Sequence, residues 1–170
     1  MLKLHKNGAI NGAATIYLDR PMIRIIDVSD YLERRVLILY AGALGETLTA
    51  GHVPGQGVDN AAAVSIIRGD TARQDHAKAR EAIHLIRNIR FPNSVDQPTI
   101  DSELEKIEKQ LWLRATQLVE QFEDLIVGVS RTLLQELSCI GEAVVLNVET
   151  LNSLPSFQGL PRLDPDLDYP

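Results

Sequence analysis

The sequence contains one cysteine, Cys139, in 170 residues. A single thiol cannot form an internal disulfide and cannot supply the ligands of a zinc ribbon or finger. This cysteine content is typical of proteins from a reducing compartment, so we expect a cytoplasmic location. Cys139 lies beside Ile140 at a predicted helix end, and we interpret it as a small packed side chain and not as a reactive thiolate.

Long apolar runs are also missing. The richest one, residues 36–44, has nine residues, whereas a membrane-spanning helix needs about 18 or more. We therefore expect no membrane span. The first eight residues include lysine and histidine but no apolar block followed by a cleavage site, which predicts no export signal.

Basic residues are in the minority. Lysine and arginine number 17 against 23 acidic residues, giving a net charge of −6. A protein of this charge gains little from counterion release on nucleic acid, so we expect no nucleic-acid partner. Hydrophobic residues make up 45% of the chain, which is enough to form a core, and this length favours one compact domain.

The pattern at the N-terminal end predicts a small hairpin and then a buried helix. The β-branched runs 13–18 and 22–26 are separated by Asp19-Arg20-Pro21, which is typical of a turn between two strands. Ser29 and Asp30 are suitable helix caps, and no breaker follows before Gly51. Two apolar stripes on this segment, one of which contains Tyr40 and Leu44, predict a helix that is mostly buried.

Further helices follow from capping residues and apolar periodicity. Asp59 predicts a short helix over 60–68, and Thr71 with Gln74 predicts a helix ending near Arg90. Residues 91–99 are interpreted as a linker. A long helix is predicted from Ser102, with apolar residues at three- and four-residue steps. The predicted apolar positions of that helix are Leu104, Ile107, Leu111, Ala115, Leu118 and Phe122.

The C-terminal part is predicted to hold a helix starting at Asp124 and a short one from Gly141 to about Asn152. Prolines and aspartates then alternate over 155–170, which predicts a disordered tail. We therefore predict one domain over residues 1–154. Its fold class is mainly α within α+β, with about five helices in a bundle and a small N-terminal antiparallel β-hairpin.

Few patterns indicate chemistry. The glycine-rich loop over 51–57 has no lysine, which argues against a phosphate-binding loop. No HExxH pair is present, and His76 and His84 lie eight residues apart, roughly 12 Å along a helix, too far to bind one metal together. Both are interpreted as solvated. The charged run over 103–109 is interpreted as a solvated helix face with local ion pairs.

Two segments nevertheless resemble a known family. Residues 40–48 (YAGALGETL) are similar to the "LAGRAAEEL" helix of the peptidase domain of FtsH-type AAA+ zinc proteases, and residues 75–83 (DHAKAREAI) to its "SDxxxAxxIA" helix. Residues 118–137 and 141–144 resemble the closing helices of that domain. The order of these segments agrees with the family over roughly residues 12–150.

The resemblance implies a role for three residues. Asp75 corresponds to the zinc-binding aspartate, Gly42 to a close-packing glycine, and Glu46 to the glutamate that ends the first helix. The alternative for Asp75 is an exposed acid paired with Lys78, and Glu46 is more consistent with a structural role. Zinc is the metal of the resembled family, and Asp75 is its vestigial candidate ligand here.

The sequence departs from the family in lacking the HExxH helix, which belongs before the hairpin, and the ATPase module. One carboxylate cannot hold zinc in a three-ligand site, so we expect no catalytic residue and no bound cofactor in this chain. Either a degenerate relative or a start placed downstream of the active-site helix would explain this, and whether the chain is an enzyme stays open. The alternative function is a non-enzymatic helical module that self-associates or binds a protein partner, because the buried helix would lack a packing neighbour.

Overall fold

The computed structural model describes residues 2–4, 10–12, 22–48, 57–136, 143–144 and 148–157. The chain separates into two compact units. One, the bundle unit, comprises residues 19–123, and the other comprises residues 1–18 together with 124–170.

The described residues of the bundle unit form four α-helices. They are α1 (Ile25–Gly45), α2 (Asn60–Arg68), α3 (Arg73–Arg90) and α4 (Gln97–Gln121), and a 3₁₀-helix over Asp70–Ala72 precedes α3. Helix α1 packs against the other three, most extensively against α3 and α4. A helical bundle is therefore confirmed.

The core of the bundle is centred on α1. Val36, Tyr40 and Leu44 are almost completely buried there, which confirms that α1 is apolar over a wide arc. Helices α2 to α4 cover this arc within the chain. The expectation that α1 lacks a packing neighbour is therefore wrong.

Capping residues explain where the helices begin. Asp59 accepts a hydrogen bond from the Ala62 amide at 2.9 Å, as predicted, and α2 has the predicted bounds. Asp96 accepts from the Thr99 amide at 3.0 Å, so α4 starts five residues before the predicted Ser102. Pro98 fits there because the first turn of a helix needs no amide donor.

The predicted hairpin over 13–18 and 22–26 is wrong. Residues 13–18 lie outside the described part of the chain, but Met22 and Ile23 are irregular, and Ile25 begins α1. The Arg24 amide donates to the Asp27 carboxylate at 2.9 Å, and this capping interaction starts the helix in spite of the β-branched residues. The fold class is corrected accordingly, from α+β with this hairpin to a helical bundle, and the described residues of the bundle unit, 22–48 and 57–123, include no strand.

In the other unit, the described residues include three short strands. They are β1 (Leu2–Leu4), β2 (Ile10–Gly12) and β3 (Ala143–Val144), with order β2-β1-β3 and antiparallel pairing throughout. Leu2 pairs with Gly12 on one side and with Val144 on the other.

The remaining elements are α5 (Glu123–Glu136), α6 (Val148–Ser153) and a 3₁₀-helix over Pro155–Phe157. The short helix predicted from Gly141 is wrong at its start, because residues 143–144 are extended and the helix begins at Val148. Cys139 lies outside the described residues. Of the predicted tail, residues 158–170 also lie outside them. No helix in the described ranges combines the length and hydropathy that crossing a membrane requires.

A buried ion pair joins α3 to α4. Arg87 is 7% exposed, and its Nε donates to Glu103 at 2.8 Å while Nη2 donates to the Ser94 carbonyl at 2.8 Å. The Ser94 hydroxyl donates to the second oxygen of Glu103 at 2.6 Å. Glu103 is therefore not part of a solvated face, whereas the exposed Glu105–Lys109 pair in the same run is the helical ion pair expected.

Candidate functional site

A cavity of about 360 Å³ opens among the four helices of the bundle unit. Its volume lies at the lower end of the range for small-molecule sites, roughly 300–1,000 Å³. Each helix contributes to the wall, and the lining combines aromatic, aliphatic and charged side chains. They are Tyr40, Val64, Ile67, Arg68, His76, Glu105, Glu108, Lys109 and Trp112.

Two aromatic rings form the rigid part of this wall. Tyr40 of α1 and Trp112 of α4 pack edge to face, with centroids 5.0 Å apart and planes at 63°, a favoured geometry for aromatic pairs. The indole Nε1 of Trp112 donates to Asn60 Oδ1 at 2.9 Å, and Thr116 donates to the same oxygen at 3.2 Å. The indole ring is therefore held by a hydrogen bond at one edge and by packing against Tyr40.

The Tyr40 hydroxyl is buried without a hydrogen-bond partner among the described residues. Burial raises the pKa of Tyr40 above its usual range, and the nearby Glu108 carboxylate raises it further. Glu108 interacts with the hydroxyl but does not reach the geometry of a hydrogen bond. The phenol is consequently a neutral, unsatisfied polar group in the wall of the cavity.

The charged residues of the cavity differ in their pairing. Glu105 and Lys109 neutralise each other at 2.7 Å on the exposed side of α4. Arg68, at the end of α2, and Glu108, on α4, are both exposed and form no ion pair with any described residue. One positive and one negative side chain without an ion-pair partner among the described residues thus border the same cavity.

The residues implicated by the family resemblance lie elsewhere. Asp75 is in the first turn of α3, where its half-exposed carboxylate lies 3.8 Å from Lys78. Glu46 is the exposed C-cap of α1. Gly42 is exposed, and a Cβ added there would meet no neighbouring atom within 4 Å, so the expected close packing at Gly42 is wrong.

The described residues do not fit a zinc ion at Asp75. Histidine, cysteine, aspartate and glutamate do not come together in any group of three within the described ranges, while zinc sites in proteins use at least three such ligands. His76 is half-buried and lines the cavity, which corrects its interpretation as a solvated residue, whereas His84 is exposed as expected. His5, His52 and Cys139 lie outside the described residues. The ligand role of Asp75 stays a prediction.

Sequence reasoning did not identify the cavity residues as a site. In the sequence, Tyr40 belongs to an apolar stripe, Glu108 belongs to a charged run, and Trp112 is part of no motif. One signal in the sequence could have indicated the site. Trp112, the only tryptophan, lies four residues after Glu108, so the two side chains share one face of the predicted helix. Only the packing of the helices brings Trp112 into the same cavity wall as Tyr40 and Arg68.

The comparisons with known proteins add no relative. No protein-family model matches the chain, and neither a curated protein nor a solved structure matches it significantly. Any functional conclusion therefore depends on the residues described above.

Proposed function

We propose that the chain is a helical domain resembling the FtsH-type peptidase domain that has no hydrolytic activity of its own and acts by binding protein. The family resemblance is supported by position. Segments 40–48 and 75–83, which carry the two motifs, fall largely on α1 and α3, and these helices pack against each other. Cytoplasmic location is part of the proposal and is supported by the single cysteine.

The observation that argues against hydrolysis is the setting of Asp75. Its side chain is 52% exposed and its neighbour in space is the Lys78 ammonium, which would repel a metal cation. A lone carboxylate of this kind binds zinc weakly and cannot activate a bound water without further protein ligands.

Zinc titration of the full chain by calorimetry tests this part of the proposal. We expect no stoichiometric site at micromolar affinity, and no difference between Asp75→Ala and the control Asp70→Ala, which removes another exposed acid. A tight site that Asp75→Ala abolishes and Asp70→Ala leaves intact would refute it. Peptide cleavage that a chelator stops would do the same.

The binding function is supported by an apolar segment at the start of α1. Met22, Ile23, Ile25 and Ile26 are 42%, 83%, 69% and 51% exposed. The two charges next to them, Arg24 and Asp27, are paired with each other at 2.8 Å. Covering one such isoleucine fully is worth about 1.5–3 kcal/mol. Because the Arg24–Asp27 pair leaves this apolar surface without net charge, the surface favours association with a like surface. A second copy of the chain is the proposed occupant.

Light scattering coupled to size exclusion tests the association. We expect a dimer or larger species at tens of micromolar, shifted to monomer by Ile23→Ser with Ile25→Ser. The control is Val95→Ser, because Val95 is 88% exposed but lies in the loop before α4. A monomer at every concentration, or equal effects of the two changes, would refute the proposed association.

A further inference from the structure

The cavity of the bundle unit has the construction of a ligand site. The indole of Trp112 is fixed by Asn60 and by Tyr40, and a wall already fixed in place loses little conformational entropy when a ligand binds. Val64 and Ile67 add aliphatic surface from α2. The cavity therefore offers a preformed interior of mixed apolar and polar lining, of a size suited to a small molecule.

The charge pattern narrows the chemistry of the ligand. Arg68 and Glu108 border the cavity from different helices, and neither forms an ion pair with a described residue. An anionic ligand would satisfy Arg68 but be repelled by Glu108, and a cationic ligand would meet the reverse problem. A molecule with both charges satisfies both residues, since charge-assisted hydrogen bonds form to the guanidinium and to the carboxylate.

We propose that this cavity binds a small zwitterion with an apolar body, of the class of free amino acids with hydrophobic side chains. Its carboxylate pairs with Arg68, its ammonium with Glu108, and its side chain lies against Trp112 and the aliphatic residues of α2. The inference goes beyond the proposed function and does not depend on it, because it uses neither Asp75 nor the apolar segment of α1.

Tryptophan fluorescence provides a direct readout, because Trp112 is the only tryptophan in the chain. The probes are L-leucine and L-phenylalanine, compared with L-leucine methyl ester, which lacks the carboxylate, and N-acetyl-L-leucine, which lacks the ammonium. We expect a saturable change with at least one of the two zwitterions at a dissociation constant of about 1 mM or below. We expect at least tenfold weaker binding of both modified leucines.

Substitutions of the charged cavity residues test whether the fluorescence change arises from binding in the cavity. Arg68→Gln and Glu108→Gln should each weaken binding of the zwitterion at least tenfold. The matched controls Arg73→Gln and Glu81→Gln change exposed residues of α3 outside the cavity lining and should leave it unchanged. The indole N–H resonance of Trp112 in nuclear magnetic resonance spectra provides a second readout that does not depend on fluorescence yield.

Three results would overturn the inference. They are the absence of a saturable response to both zwitterions in both readouts, equal binding of N-acetyl-L-leucine, and binding that Arg68→Gln or Glu108→Gln leaves unchanged. A monomeric chain would refute the proposed self-association and leave this inference untouched, so the two failures are distinguishable.

Discussion

Replacing Tyr40 by phenylalanine removes one oxygen atom from the core of the bundle. The ring is 1% exposed and keeps its edge-to-face packing with Trp112 in the variant. The hydroxyl has no partner among the described residues, and a buried hydroxyl without a hydrogen bond costs about 1–3 kcal/mol. We therefore expect Tyr40→Phe to raise the free energy of unfolding by about 1 kcal/mol, a value at the lower end of that range.

High pH should enlarge this difference. Burial raises the pKa of Tyr40 in the folded chain, whereas the unfolded chain has the ordinary tyrosine value of about 10. Above pH 10 the unfolded state loses this proton and the folded state keeps it, so wild-type stability falls by up to about 1.4 kcal/mol per pH unit. The phenylalanine variant has no such loss, and the stability difference should widen as the pH rises.

Urea unfolding followed by circular dichroism measures both effects. The free energy of unfolding of a small protein falls by about 1–3 kcal/mol per molar urea. The urea midpoint of Tyr40→Phe at neutral pH should therefore exceed that of the wild type by roughly 0.3–1 M. Tyr31→Phe is the control, because Tyr31 lies on the same helix and is only half-buried. A lower midpoint in Tyr40→Phe, or a difference that stays constant or narrows above pH 10, would refute the reasoning.

Three further substitutions test the described interactions by the same unfolding assay. Glu103→Ala leaves Arg87 buried and unpaired, so we expect a loss of about 3 kcal/mol, whereas the exposed Glu105→Ala should change nothing measurable; similar effects of the two would contradict the buried pair. Asp59→Ala removes the cap of α2 and should cost about 1 kcal/mol; an unchanged midpoint would show that the cap is dispensable. Asp75→Ala breaks a half-exposed pair and should stay within about 0.5 kcal/mol; a larger loss would mean that Asp75 has a structural role beyond this pair.

The sequence predicted helices well where both ends carried local signals. Helix α2 begins after Asp59 and ends before Gly69, and both residues act through the nearest backbone groups. The start of α4 was missed because Pro98 suggested a linker, although Asp96 caps the helix and proline fits its first turn.

The start of α1 was missed for a different reason. Arginine is not a preferred capping residue, yet the Arg24 amide and side chain both donate to Asp27. The isoleucines around it favour a strand by propensity alone, but propensity is weak compared with helix packing on α3 and α4. No local pattern in residues 22–26 contains that information.

The residues of the cavity were beyond sequence reasoning because the site has no motif. Arg68 and Glu108 are forty residues apart and become neighbours of one cavity only through the packing of α2 and α4 on α1. The sequence did predict that Tyr40 belongs to the apolar surface of α1. It could not predict that the phenol would lie at the boundary between core and cavity.

That boundary position connects the stability of the bundle with its candidate site. Val36 and Leu44, the other almost fully buried large side chains of α1, carry no polar atom, whereas Tyr40 buries a hydroxyl without a partner in the described structure. A phenylalanine would fill the same space without the desolvation cost. Locally unfavourable residues concentrate at functional sites, and here the unfavourable group belongs to the α1 residue that lines the cavity. The energetic cost at Tyr40 therefore points to the same place as the fixed indole of Trp112 and the side chains of Arg68 and Glu108, which form no ion pair with a described residue.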